Sequence, residues 1–497
     1  MDKRQLRSLF TALVILWLPM TLWPTPVNTV GIVGDGNPKS CTEAALEAAL
    51  STGGKITFNC GPTAHTIPIT SQKTIGLNIT IDGQHLITLS GRNLTRLFSV
   101  ISGVTLSLQQ LTLANGNATL GGAIYNAGNV VITDSALINN QSSGGSGGSI
   151  YNDGKLTITN SRLSNNVAQD GLGGAIYNAG ELALQNSILA DNYGELAGGG
   201  ILNSGTAFIT QDTFINNSGN YGGGLENRGT VILENSNITS NTTTYGMGGG
   251  VHNTGQLTVT ESTFAGNSSA IWQYGGGLAN QGNAKITNSL LLNNVAPDGL
   301  GAGIYNNGQL TLVADTLASN QTGSGWGGGI YSAITGSLNI TNTTFSGNFG
   351  GHDGGGLYTS GSAIILNSTF YNNLPNSIVT IESANISMRN SIVAGSPITN
   401  CKGTITSLGN NLEDHNTCGF VAIGDIHDAN PGLAPLSYNV GPTPTHALNP
   451  GSPAINGGAN DACPVDDQRG ARRPVFGVCD IGAYEYGFST SLPLVSK

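Results

Sequence analysis

The stretch Gly171–Asn192, GLGGAIYNAGELALQNSILADN, decides how the whole chain is read. It holds a Gly pair, an apolar residue, Tyr-Asn, another Gly, a short alternating run, Asn-Ser and a closing Asn. The same order of residue types recurs on both sides of it. The Gly-pair motif starts at Gly121, Gly147, Gly173, Gly198, Gly222, Gly248, Gly275, Gly301, Gly327 and Gly354, at intervals of 24 to 27 residues. A second column keeps step with the first: Asn140, Asn166, Asn192, Asn217, Asn241, Asn267, Asn294, Asn320, Asn348 and Asn373. Each of these follows an apolar residue three positions earlier, as in FINN and FSGN. A period of this length is the mark of a solenoid.

The contents of the repeat decide which solenoid it is. No helix-length 3.6-residue pattern lies inside any unit, which excludes helical repeats. Leucine-rich repeats share the length, but they need a Leu-rich frame that is missing here. Each unit instead offers short period-2 strands split by Gly and Asn turns. In GKLTITNS, Leu156 and Ile158 point one way while Thr157 and Thr159 point the other. Leu257 with Val259, Leu310 with Leu312, and Leu338 with Ile340 repeat the pattern. The expected fold is all-β, a single-stranded right-handed parallel β-helix. Turns stack about 4.8 Å apart, so like residues sit above one another. Apolar side chains then form inward ladders, Asn forms amide ladders at the turns, and Gly supplies positive φ. A turn cannot bury its apolar face alone, so the ends need caps. SCTEAALEAAL, from Ser40 to Leu50, predicts a short N-terminal capping helix behind a polar N-cap.

Composition narrows the function. Only 9% of residues are charged, and 18 Lys+Arg against 28 Asp+Glu give a net charge of −10. No basic run follows the N-terminus, so neither nucleic acid nor an anionic membrane is an expected partner. Lys3, Arg4 and Arg7 ahead of the apolar Leu9–Leu18 read as an export signal within residues 1–30. That reading leaves no stable membrane span in the mature chain. TLWPTPVNTV has no clean cleavage pattern, so an uncleaved anchor stays open. The six cysteines suit an oxidising compartment. They fall as close pairs, and local closure of Cys41 with Cys60, Cys401 with Cys418 and Cys463 with Cys479 is the simplest reading. Both groups flank the repeats and are expected to pin the ends. No CxxC or His-Cys cluster suggests a metal site, and no cofactor is expected.

The paired signatures GG[AGS][ILV] and [FLI]xxN resemble repeats of the polymorphic outer-membrane protein family, and pectate-lyase-like β-helix proteins more generally. This covers Gly121 to Asn373. NPGSPAINGG, CPVDDQRGARRP and CDIGAYEY, between Asn449 and Tyr486, resemble the choice-of-anchor Q domain, which implies an exported bacterial protein rather than a reaction. After Tyr486 only GFSTSLPLVSK follows, with no barrel, transmembrane helix or sorting signal, so secretion or non-covalent surface association is expected. The chain divides into residues 1–30 (signal), 31–120 (N-terminal cap and first coils), 121–396 (repeat array), 397–486 (C-terminal choice-of-anchor-Q-like region, a disulfide-pinned cap) and 487–497 (tail).

Stacking turns sequence columns into surface columns. The penultimate motif residue runs Tyr125, Tyr151, Tyr177, Leu202, Glu226, His252, Ala279, Tyr305, Tyr331, Tyr358. Strand alternation points this column outward, as an exposed Tyr ladder broken by Glu226 beside His252. The loop before the Gly motif adds Tyr221, Tyr245, Trp272, Tyr274 and Trp326. Aromatic faces beside polar groups suit stacking on sugar rings, which makes these residues, with Tyr177 and Tyr305, the candidate binding site. Tyr is also a good β-former, and a ladder that merely seals the sheet is the competing reading. Glu226 and His252, with Arg228 as the only basic neighbour, form the candidate acid–base pair; a structural pair is the alternative. Asp170 and Glu195, one coil apart, are a second carboxylate pair, read as a solvated surface pair against a retaining-glycosidase or calcium arrangement. Asp298 and Asp353, the latter beside His352, stand alone in their loops. Asp467, Arg469, Arg472, Arg473, Asp480 and Glu485 read as an ion-pair cluster under a disulfide.

The expectation is an exported surface or secreted protein that presents an extended face to carbohydrate or another cell surface, as an adhesin does. The alternative is a polysaccharide lyase or glycoside hydrolase on the same scaffold. A purely structural rod is the third class, and the oligomeric state is open.

Overall fold

The computed structural model describes residues 29–381 and 384–487. The expected export signal lies outside the described residues up to position 28, and so does the tail from position 488.

The quoted stretch forms one turn of a continuous spiral. Its strands are Ile176–Asn178, Glu181–Gln185 and Ile188–Ala190, and Tyr193–Gly194 follows directly after it. Each pairs in parallel with its counterpart one turn on, so Ile176 meets Ile201, Leu182 meets Ala207 and Leu189 meets Phe214. The Ile-Tyr-Asn segments build a 14-stranded sheet, hereafter the tyrosine sheet. The next two segments of every repeat join one 29-stranded sheet that bends between them. The shortest segments stack as a 6-stranded sheet. Register irregularities in the described pairings lie at Thr29/Gly31 and Asp82/Ile87, upstream of the repeats.

Alternation sorts the side chains as expected. Leu156 and Ile158 are buried, while Thr157 and Thr159 are half-exposed. Ile, Leu and Val from all strands, with Phe214, Phe264, Phe345 and Phe370, fill one continuous core. The opening Gly of each motif needs its identity. Gly173 sits at φ +70°, and a Cβ there would lie 2.2 Å from the Ile176 carbonyl oxygen. No L side chain fits.

Two amide ladders run through the interior. Asn140, Asn166, Asn192, Asn217, Asn241, Asn267, Asn294, Asn320, Asn348 and Asn373 are buried, and each Nδ2 donates to the next Oδ1 at 2.9–3.0 Å. The same Oδ1 also accepts the backbone N–H of the preceding Asn, as at Asn217, which takes the Asn192 N–H at 3.1 Å. A second ladder joins Asn126, Asn152, Asn178, Asn203, Asn227, Asn253, Asn280 and Asn306 at 2.6–2.9 Å.

The ends are closed differently. The N-terminal helix is Glu43–Leu50, with Thr42 as its N-cap: Thr42 Oγ1 accepts the Ala45 N–H at 3.2 Å. Ser40 serves the preceding 3-10 turn instead. Leu46 and Ala49 are buried, and the helix lies against strand Thr29–Val33. Lys73 ties it to the first coils through Glu43 and Glu47, at 2.5 and 2.6 Å. All three local disulfides form. Cys401–Cys418 closes the last turn, whose strands Cys401–Lys402 and Leu412–Glu413 still pair with the coil before them. The chain then runs back along the flank of the solenoid, where Gly482 N donates to the Asn390 carbonyl at 2.8 Å. Cys463–Cys479 thus belongs to a lateral cover as well as to an end.

Asn217→Ala is expected to cost roughly 3–5 kcal/mol, because the Asn192 N–H, the Leu189 carbonyl and Asn241 Oδ1 all lose buried partners. The exposed Asn237→Ala is expected to stay within about 0.5 kcal/mol. Urea midpoints for the two proteins check this, and equal midpoints would contradict the ladder's role.

Candidate functional site

The penultimate residues of the Gly motifs point away from the core, since the residues on either side, such as Ile176 and Asn178, point into it. They stack as rings where they are Tyr. Tyr125–Tyr151 and Tyr151–Tyr177 centroids lie 5.5 and 4.8 Å apart, and Tyr305–Tyr331 and Tyr331–Tyr358 lie 5.8 and 5.2 Å apart. Burial, with Asp153 adding to it, pushes the Tyr151 phenol up to about 12.

This column is not the freely exposed ladder expected from strand alternation. Tyr125, Tyr151, Tyr177, Tyr331 and Tyr358 are half-buried, while Leu202, Glu226, His252, Ala279 and Tyr305 are buried. In the middle and later coils the loop that leads into the Gly pair folds over the sheet. Its residues stack in turn, with bridges from Tyr274 to Leu300, Leu300 to Trp326 and Trp326 to Asp353. Tyr274 lies on Tyr305 at 4.7 Å, and Tyr221 leans on the His252 ring at 5.4 Å.

The outermost aromatic side chains belong to these loops. Tyr245 is 79% and Trp272 66% exposed, whereas Tyr221 and Trp326 are closer to 40%, at 38% and 39%. Trp326 stacks on His352 at 5.1 Å, which gives that histidine a packing role that its sequence position did not reveal.

The structure brings Glu226, His252 and Arg228 together. His252 Nδ1 donates to Glu226 Oε2 at 2.6 Å, and Arg228 Nε donates to Glu226 Oε1 at 3.0 Å. The far nitrogen of His252 lies 3.3 Å from the amide oxygen of Gln281, a residue missed in the sequence because it follows its motif. The Glu226 and His252 side chains are only 2% and 6% exposed, beneath Tyr221. The group is a buried chain of polar contacts, with the Arg228 guanidinium at its exposed end.

Other candidates are engaged elsewhere. Glu195 Oε2 accepts the backbone N–H of Asp170 at 3.0 Å, which ties the two loops together. Asp298 does not stand alone: it accepts the Ser324 N–H and hydroxyl at 2.8 and 2.7 Å, and these bonds hold its carboxyl below the usual range. Asp353 binds Lys402 Nζ at 2.7 Å and Asn376 Nδ2 at 2.5 Å. Among the described residues no group of His, Cys, Asp and Glu could hold a metal ion. In the C-terminal cluster Arg469 pairs with Asp467 at 2.7 Å and Arg473 with Glu485 at 3.8 Å, both buried. Arg472 departs from the expectation and pairs at the surface with Asp466, at 3.7 Å.

One column escaped notice in the sequence. At the bend of the large sheet, Ser135, Ser161, Ser236 and Ser262 each accept a backbone N–H from the coil before. Asp212 and Asp315 replace Ser in this buried column. Asp212 accepts the Ser187 and Thr210 N–H groups at 2.6 and 2.9 Å. Burial outweighs these bonds and raises its carboxyl from 3.8 to about 7. Burial raises Asp315 well above its ordinary value too. An Asp in a Ser column was the available signal.

The family model for the right handed beta helix region matches residues 149–317, which include Glu226, His252 and the aromatic loop residues other than Trp326. The chain is a right-handed β-helix. No curated protein matches it. The right-handed β-helix has no helix, among its described residues, long and apolar enough to cross a membrane.

Because the native carboxyl of Asp212 titrates above its unfolded value, its cost is absent below about pH 4, grows as pH rises to about 7 and is complete above that. Asp212→Ser is therefore expected to stabilise the protein more at pH 8 than at pH 4, by at most about 4 kcal/mol. Thermal melts at both values check this; a gain independent of pH would contradict it.

Proposed function

We propose that this right-handed β-helix is an exported bacterial protein, secreted or held at the cell surface, which binds carbohydrate or another cell surface in the manner of an adhesin. The observation that carries the reading is the line of aromatic side chains on the loops over the tyrosine sheet: Tyr221, Tyr245, Trp272, Tyr274 and Trp326 beside the half-buried Tyr177 and buried Tyr305. Rings exposed on one face, with hydroxyl and amide groups between them, can stack on sugar rings and bond their hydroxyls. The three disulfides fit an oxidising compartment.

The finer resemblances belong to the same proposal. The repeats are those of polymorphic outer-membrane and pectate-lyase-like proteins, and residues 397–486 form a choice-of-anchor-Q-like region. An export signal within residues 1–30, an N-terminal region 31–120, the array 121–396 and a tail 487–497 complete the division.

A second reading, a polysaccharide lyase or glycoside hydrolase, rests on the Glu226–His252 contact at 2.6 Å with Arg228 on the other carboxylate oxygen. The burial of both side chains favours binding, because a general base must reach the proton it removes.

A glycan array read together with reducing-sugar release separates the two. The expected result is saturable binding without release, weakened about tenfold by Trp272→Ala with Trp326→Ala. Absence of any saturable ligand would leave a structural rod. Release of reducing ends that is abolished in Glu226→Ala and His252→Ala would instead favour the enzyme; release that persists would remove those two residues from its mechanism.

A further inference from the structure

The bend of the 29-stranded sheet forms a trough along the solenoid, and the chain itself fills only part of it. The residue at the bend has positive φ in coil after coil. In the upstream coils this column is exposed: Asp134, Asn160, Asn186, Gln211, Asn235 and Glu261. Downstream the same column, Ala314, Asn342, Asn367 and Asn390, is buried. The difference is the returning C-terminal segment, which lies in the trough there.

The way that segment is held defines what the trough recognises. Thr316 Oγ1 donates to the Pro444 carbonyl at 2.6 Å, and Asn342 Nδ2 to the Asp466 carbonyl at 2.8 Å. Asn390 Nδ2 donates to the Ala459 carbonyl at 3.0 Å, and Thr369 Oγ1 accepts the Ala483 N–H at 3.0 Å. These contacts read main chain. One side chain is read as well: Gln468 is fully buried, its Nε2 2.9 Å from the Asp315 carbonyl and 2.8 Å from Thr316 Oγ1, its Oε1 2.6 Å from Thr344 Oγ1.

The open half carries part of the same equipment. Thr213 lies in the column of Thr316, Thr344 and Thr369, through unbroken pairings of Thr213 with Asn237, Thr263, Leu290 and Thr316. Asp212-Thr213 repeats the Asp315-Thr316 pair that receives Gln468, and among the repeats these two coils alone have Asp in the Ser column. Asn160 and Asn186 present their amides at the bend, joined to each other at 2.7 Å. A concavity of about 460 Å³ opens at the upstream end, lined by residues that include Asn160, Asn186, Arg162 and Ile188. No Tyr, Trp or Phe lines this concavity, and Phe208 is exposed on the sheet further along the open half.

We propose that the open trough over the coils from Asp134 to Glu261 is a docking site for an extended, polar polypeptide segment from another molecule, bound through its main-chain carbonyl and N–H groups, with a Gln or Asn side chain seated at Asp212-Thr213. The site continues an interface the molecule already makes with its own chain, and that continuity favours peptide over glycan. It is independent of the carbohydrate reading, which concerns the opposite face.

The test uses the full chain with its own C-terminal segment in place. The probes are synthetic fluorescent peptides of residues 440–450 and 464–474, their scrambled versions, and hexasaccharides of glucose and galacturonic acid. Saturable binding of the native peptides but not the scrambled ones is expected in fluorescence polarisation. Thr213→Val is expected to weaken it about fivefold, and Asn186→Gly, which keeps the positive φ, by a similar factor. Both positions face solvent at least in part, so unchanged melting temperatures are expected, and either variant alone suffices if the other misfolds. The proposal is overturned by no saturable peptide binding up to about 5 mM, by binding that neither variant alters, or by a hexasaccharide that binds and is lost in both variants.

Discussion

The whole structure depends on one constraint: a buried side-chain amide must find its partner one turn away. Asn217 shows it most directly. Its Oδ1 takes two hydrogen bonds from Asn192, and its Nδ2 gives two, to Asn241 and to the Leu189 carbonyl. A slip of one residue between neighbouring turns would break all four and turn the apolar ladders outward. Unsatisfied amides in a dry interior cost far more than the net gain of the bonds themselves. The ladders therefore act less as a source of stability than as a lock on register, and everything arranged in columns follows from that lock.

Register gives the surface its order, and the loops decide what the surface shows. Strand alternation makes the tyrosine column point away from the core, but the Gly-rich loops cover it in the middle coils. Glu226 and His252 are as buried as core residues for that reason, and the aromatic contacts available to a ligand pass to Tyr245, Trp272 and Trp326 on the loops themselves. The same logic holds at the bend of the large sheet. The upstream coils leave the trough open, while the downstream coils close it with the chain's own C-terminal segment. The aromatic loops and the trough face different ways, and they offer different chemistry: rings on one side, amides and hydroxyls on the other.

The polar interior has one irregularity that register does not demand. Asp212 and Asp315 occupy a column where Ser does the same job, accepting a backbone N–H, without a charge to bury. Each sits next to a Thr at the trough, and in the covered half that place receives Gln468. The substitution is costly above neutral pH because burial raises both carboxyls. At one of the two, Asp315-Thr316, the trough takes the Gln468 side chain.

The sequence by itself determined the period, the strand alternation, the glycine turns and the Asn ladders, and therefore the β-helix. Those features are local or recur every 24 to 28 residues, so a single unit such as Gly171–Asn192 already contains them. The helix at Glu43–Leu50 and the three disulfides were legible for the same reason, since each closes over a short separation. Proximity of Glu226, His252 and Arg228 could also be read, because it needs only one turn of register. Tertiary structure alone decided how deep they lie, that Asp298 and Asp353 have partners in later coils, and that Arg472 leaves the buried cluster. It also decided that Gln468 seats against Thr316 across 152 residues. No repeat letter encodes such a contact: it depends on where a non-repeating segment returns, and on the volume of the loops it meets.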